Sequence, residues 1–209
     1  LMHKMAKKYY DFPLYRAPYS FVGTISGKLP TLLLAGFFGP AAVGFYTLAT
    51  SAIKAPSNII AKSFGNVFYP KIAKDYNHGE DVRKILLKAT IVLALVGLIP
   101  FGLIVILGPW LFGFVFGDEW FIAGEYARWM SIMAYFSFVG GACWKTIPVI
   151  KMQKFALIYA VITTLLSAAT LYVTATLFND DLLTVASFCI LNSILIVFKM
   201  FWVLRKAKS

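Results

Sequence analysis

Residues 12–66 read FPLYRAPYSFVGTISGKLPTLLLAGFFGPAAVGFYTLATSAIKAPSNIIAKSFGN, two long apolar segments that meet at Gly39-Pro40. Each segment is long enough to cross a membrane, and each carries a lysine, Lys28 or Lys54, well inside its length. A lysine at the centre of a bilayer costs about 2.5–3.5 kcal/mol on insertion scales. We therefore expect the two lysines to face a hydrated cavity rather than lipid.

The polar residues of both segments recur at spacings of three and four, so that on a helix each set forms one stripe. The first stripe comprises Arg16, Ser20, Thr24, Lys28 and Thr31, and the second comprises Thr47, Thr50, Ser51, Lys54, Asn58 and Lys62. Because the turn is only two residues long, the segments are expected to pair antiparallel, with Lys28 and Lys54 at comparable depth.

Two ammonium groups that share a cavity of low dielectric repel each other unless an anion lies between them. The pattern therefore predicts a path for something anionic, lined by Lys28, Lys54, Thr24 and Asn58. Arg16 and Lys62 continue the stripes toward the membrane surface, where they either capture an anion at the entry or anchor the helices. A second interpretation of the lysines is that each snorkels or binds a carbonyl at a helix end.

The composition is that of a polytopic membrane protein. Of 209 residues, 60% are hydrophobic and 14% are charged, whereas soluble domains have about 45–50% and 25%. We expect one all-α lobe over residues 1–209 with six membrane-spanning helices, at 12–38, 41–69, 89–107, 120–146, 155–178 and 182–204. The net charge is +11, and most of the basic residues lie between these spans or at the two ends of the chain, which indicates contact with membrane lipids and not with nucleic acid.

The charges also predict an orientation. One set of span ends carries nearly all the lysines and arginines, and the other carries Asp118, Glu119, Asp180 and Asp181. By the positive-inside rule, both termini and the loop around residues 75–83 are expected to be cytoplasmic.

No motif for catalysis, a cofactor or a metal is visible. Cys143 and Cys189 lie inside apolar segments, and the two histidines have no partner at the spacing of metal ligands. Glu125 and Arg128 are three residues apart, which suits an intrahelical ion pair; a place for Arg128 in the cavity is the alternative. We therefore expect a protein that is not an enzyme.

Several stretches are familiar: FPLYRAP (12–18), LPTLLLAGFFGPAAVGFYTLA (29–49), FGNVFYPKIAK (64–74) and FGDEWFIAGEYAR (116–128). In this order they resemble the second half of bacterial polysaccharide and O-antigen flippases, which belong to the multidrug, oligosaccharidyl-lipid and polysaccharide exporter superfamily. The resemblance implies one lobe of a two-lobed exporter in the inner membrane, with an amino-terminal six-helix lobe as its partner. It further implies a substrate that is an oligosaccharide linked to undecaprenyl pyrophosphate.

Two other functions stay open. A cation-coupled multidrug exporter of the same superfamily needs buried carboxylates for organic cations, and Glu125 is the only acid within a predicted span. A membrane-embedded enzyme acting on lipid-linked sugars needs histidines or carboxylates near the interface, and no such constellation is present. An anionic cargo is therefore the favoured expectation.

Overall fold

The computed structural model describes residues 11–77, 82–148 and 152–207, with side chains for 17–55, 57–58, 83–144, 146–148 and 152–207. Every regular element in these residues is helical, so the all-α class is confirmed. The helices are α1 (Asp11–Asn77), α2 (Val82–Phe116), a 3₁₀ turn (Asp118–Trp120), α3 (Phe121–Val139), α4 (Gly141–Thr146), α5 (Gln153–Phe178) and α6 (Asp181–Lys206).

Within the described chain, four helical stretches are long and apolar enough to cross a membrane: Ala17–Ala55, Arg83–Phe116, Gln153–Phe178 and Asp181–Lys206. Their outer faces expose large apolar side chains, such as Ile99 on α2 and Leu177 on α5. Apolar faces of this length suit lipid rather than water. The chain is therefore a multi-pass membrane protein.

Helix α1 changes direction at Gly39, whose φ of 82° and ψ of −173° are not helical. Glycine adopts positive φ without steric penalty, and Pro40 behind it has no N–H to continue the ladder. Gly27 and Thr50, one on each side, line the same cavity, whereas a continuous helix would place them about 35 Å apart. Helix α1 therefore folds back on itself, as Gly39-Pro40 suggests, into a first arm (residues 11–38) and a second arm (residues 40–77).

Helix α3 packs against α1, α2 and α6 and is not one of the four candidate spans. Ala123, Tyr126 and Ala127 on it are fully buried. Because its neighbours shield it from lipid, this helix tolerates a polar content that a lipid-facing span does not. The expected span at residues 120–146 is also interrupted, since α3 ends at Val139 and α4 begins after Gly140.

Helix α2 extends past the predicted span 89–107 at both ends, from Val82 to Phe116. Pro109 lies inside it and cannot donate to the carbonyl four residues earlier. That carbonyl, on Val105, accepts a bond from Arg128 Nε at 3.0 Å. An outside donor of this kind is how membrane helices tolerate an internal proline.

Helices α5 and α6 are joined by a tight turn. Asn179 ends α5 in the left-handed conformation, a common helix stop. The side chain of Asp180 then caps α6 by accepting a bond from the Leu183 N–H at 2.8 Å. Farther along the pair, the side chains of Ser167 and Asn192 hydrogen-bond to each other. The two helices therefore form an antiparallel wall, and Asn192 is one of the residues that line the cavity.

Candidate functional site

A cavity of about 460 Å³ lies between the two arms of α1 and helices α3, α4, α5 and α6. This volume is in the range of small-ligand sites, about 300–1,000 Å³. Most of its lining is apolar or aromatic. The polar exceptions, apart from tyrosine hydroxyls and the Trp144 N–H, are Ser26, Thr50, Lys54, Ser137, Thr163, Thr164, Asn192 and Lys199.

Lys54 is the predicted site residue that lines this cavity. Its side chain is exposed, and it forms no hydrogen bond or ion pair with any side chain or carbonyl that the structure describes. Thr50, one turn earlier, also lines the cavity and donates its hydroxyl to Tyr46 O at 2.8 Å. The second stripe of the sequence analysis thus reaches the cavity at these two positions.

The first stripe of the sequence analysis does not reach the cavity at Thr24 or Lys28. Thr24 and Lys28 are exposed and are not among the lining residues, and Thr24 donates to its own helix at Ser20 O, 3.0 Å away. Gly23 and Gly27 line the cavity instead. Adjacent residues on a helix differ by about 100° in direction, so the first arm turns the neighbouring face inward and leaves the stripe on the outside of the bundle.

The remaining predicted residues are not in the cavity or lie outside what is described. Asn58 is exposed and is not part of the lining. Arg128 is held by Glu125, with 3.1 Å from Nη1 to each carboxylate oxygen, and by the Val105 carbonyl, so it too is absent from the lining. Arg16 and Lys62 belong to α1, but their side chains fall outside the described ones.

Lys199 is the charge that sequence reasoning missed. It lines the cavity, and its side chain is 9% exposed. The ammonium lies 4.4 Å from the centre of the Trp144 ring, 5.3 Å from that of Tyr159 and 5.9 Å from that of Tyr19, all within cation–π range. The signal available in the sequence was the seven-residue spacing from Asn192, which places both side chains on one face of α6.

The cavity is cationic. Among the residues that the structure describes, its lining contains two lysines and no aspartate or glutamate. Several of its polar side chains are already engaged: Thr163 and Thr164 donate to Ala160 O, and Asn192 donates to Ser167 and to Phe188 O. The ammonium groups are thus the main donors left to a ligand. Within the described chain, no three His, Cys, Asp or Glu residues come together as they would around a metal.

Comparison with known proteins identifies the family. Residues 2–123, more than half of the chain, match the polysaccharide biosynthesis protein family. The chain belongs to this family. The matched part includes all of α1 and α2, and the match confirms the resemblance stated above. The family is of the flippase type, and its members are generally transporters and not enzymes. No curated protein and no solved structure matches the chain.

Proposed function

We propose that this chain is one lobe of a flippase that moves an undecaprenyl-pyrophosphate-linked oligosaccharide across the bacterial cytoplasmic membrane. The observation that carries the proposal is a cavity among membrane helices whose described lining includes two lysines and no carboxylate, in a member of the polysaccharide biosynthesis family. Such a lining favours an anionic group, and ammonium donors form strong, charge-assisted bonds with phosphate oxygens. It disfavours organic cations, the cargo of a multidrug exporter.

The proposal includes six crossings of the membrane with both termini in the cytoplasm. The two arms of α1 supply two crossings, and α2, α3 with α4, α5 and α6 supply four. Residues 17–38 of the first arm, where the apolar stretch begins, are about 33 Å long, enough for the hydrocarbon core. Helix α3 would be the central crossing, shielded from lipid by the others. Basic residues at the end of α6, Arg205 and Lys206, fit its cytoplasmic end.

A second lobe is also part of the proposal. The exposed surface of the two arms of α1 carries Thr24, Lys28, Lys54 and Asn58, and a polar surface of this kind is costly against lipid. An amino-terminal six-helix lobe packed opposite would turn it into the wall of a shared, hydrated path. Lys28 and Lys54 would then meet the pyrophosphate, and Arg16 and Lys62 would stand at the cytoplasmic entry.

The test is complementation of surface-glycan display by the full-length, two-lobed protein in a host that lacks its own flippase. Lys54→Arg should retain most activity, because it keeps the charge and can donate to phosphate. Lys54→Ala should lower display by about tenfold, the loss of one charged hydrogen bond, and Lys54→Glu should lower it further through repulsion. Lys84→Glu, an exposed position on α2, is the matched control. Normal display by Lys54→Glu at normal membrane abundance would contradict the proposal.

A further inference from the structure

Lys199 is a buried cation on α6, seven residues before the helix ends at Lys206. Side chains on a helix lean toward its amino terminus, so this lysine leans into the bundle, away from the basic end of α6. Its ammonium reaches the cavity between the rings of Trp144 and Tyr159. The direction of the stem therefore argues against snorkelling to the nearer membrane surface.

Contacts with the aromatic rings offset only part of the cost of burying the charge of Lys199. A buried ion loses more hydration energy than cation–π contacts return. No carboxylate in the described chain lies within ion-pair distance of Lys199. The ion pair found among the described residues joins Arg128 and Glu125. The ammonium also forms no hydrogen bond to the described residues, so its three N–H donors are available to the cavity.

We propose that the cavity is a binding site for a small oxyanion of the phosphate class, held between Lys199 and Lys54. Both lysines line the same 460 Å³ space. Ser26 and Ser137 line it as well, and their hydroxyls form no bond to the described chain, so they are further donors. The aromatic rings hold the ammonium in place when the site is empty, and the anion supplies the negative charge that the lining lacks.

This site is smaller than the path for the glycan and shares Lys54 with it. Its volume suits a phosphate or pyrophosphate group but is far too small for a lipid-linked oligosaccharide. The anion therefore has two possible sources: free phosphate or pyrophosphate from the cell, or the pyrophosphate headgroup of a lipid. Only the second source rests on the proposed function.

The test is direct binding by the full chain purified in detergent. Equilibrium dialysis would measure the binding of labelled phosphate and pyrophosphate, and retention on the immobilised chain would measure the binding of labelled undecaprenyl pyrophosphate. We expect saturable binding of about one anion per chain, which Lys199→Met weakens about tenfold or more because a charged hydrogen bond is lost. Lys199→Arg should stay close to the parent, and Lys206→Met, on the exposed end of α6, is the matched control.

Lys199→Met keeps the apolar stem and removes a buried charge, so the variant is expected to fold, and gel filtration would verify this. Should it aggregate, Lys54→Met, at an exposed position, replaces it and is expected to weaken binding similarly. If phosphate or pyrophosphate binds and the lysine variants weaken that binding, the ligand is a free anion. If only undecaprenyl pyrophosphate binds in this lysine-dependent way, the ligand is a lipid headgroup. Failure of all three probes to bind, or unchanged binding by the lysine variants, overturns the site.

The two proposals fail separately. A chain that supports glycan display but binds none of the three probes would overturn the oxyanion site and leave the flippase standing. A chain that binds pyrophosphate through Lys199 but supports no glycan display when its second lobe is present would overturn the flippase and leave the oxyanion site standing.

Discussion

At the scale of single residues, Arg128 shows how one side chain serves two structural needs. Its Nη1 pairs with Glu125 one turn earlier, and its Nε satisfies the Val105 carbonyl that Pro109 leaves without a donor. A carbonyl without a partner is expensive where water is scarce. Arg128 therefore joins α3 to α2 at the proline, which accounts for its absence from the cavity.

This role predicts a coupling between Arg128 and Pro109. Arg128→Met should lower the free energy of unfolding by about 1–3 kcal/mol, because the Val105 carbonyl loses its donor. Pro109→Ala supplies a backbone N–H to the same carbonyl, so in that background Arg128→Met should cost less. Thermal unfolding of the four proteins in detergent completes the cycle. The Glu125 pair is lost in both backgrounds and cancels, so strictly additive effects would show that Arg128 does not act through this carbonyl.

At the scale of elements, α2 and α3 cross where two glycines meet. A Cβ at Gly124 would lie 2.4 Å from Pro109 Cα and 2.6 Å from Gly108 O, and one at Gly108 would lie 2.8 Å from Gly124 O. Small residues at such crossings let membrane helices approach closely and gain van der Waals contact. The position of α3 at the centre of the bundle depends on this crossing.

We expect Gly124→Ala to force α2 and α3 apart and to lower stability by about 1–3 kcal/mol, the usual cost of overpacking. Gly102→Ala is the matched control, since Gly102 also lies in α2 but has open space around its Cβ position. There the greater helix propensity of alanine should leave stability unchanged or raise it by up to about 1 kcal/mol. Apparent melting temperatures in detergent measure both. Equal melting temperatures for the two variants would contradict a close crossing at Gly124.

The helices themselves could be largely predicted from the sequence, because long apolar runs and the Gly39-Pro40 turn are local signals. The central position of α3 could not be predicted, because α1, α2 and α6 shield it and its own residues do not show this. The length of α2 was also missed. In the sequence, Pro109 indicates the end of a helix. The helix continues because Arg128, 19 positions later in the chain, supplies the missing donor.

At the scale of the whole molecule, the cavity was only partly predictable for a related reason. Helical spacing shows which residues share a face, but it does not show which face meets which neighbour. Lys54 was identified and does line the cavity, whereas Lys28 is one position away from the face that does. Lys199, near the end of α6, received no role in the sequence analysis. Its burial depends on Trp144 and Tyr159, which come from two other helices.

The proposed orientation can be tested on the same scale, because α2 and α6 each join an acidic end to a basic one. Single cysteines would be placed at Asp118 and Lys84, beyond or near the two ends of α2, and at Asp180 and Lys206 for α6. In intact cells, a membrane-impermeant maleimide should label the cysteines at 118 and 180. Those at 84 and 206 should react only after permeabilisation, because the basic ends stay in the cytoplasm.

The native cysteines offer little background, since Cys143 and Cys189 are both buried, and the parent chain serves as the control. Each pair of positions tests one crossing independently. Labelling at both ends of α2 in intact cells would mean that this helix does not cross the membrane, whatever α6 does. The fully reversed pattern would preserve the crossings but invert the protein, and would place the Arg205 and Lys206 end of α6 outside the cell. Arg16 and Lys62 could then no longer receive a substrate from the cytoplasm.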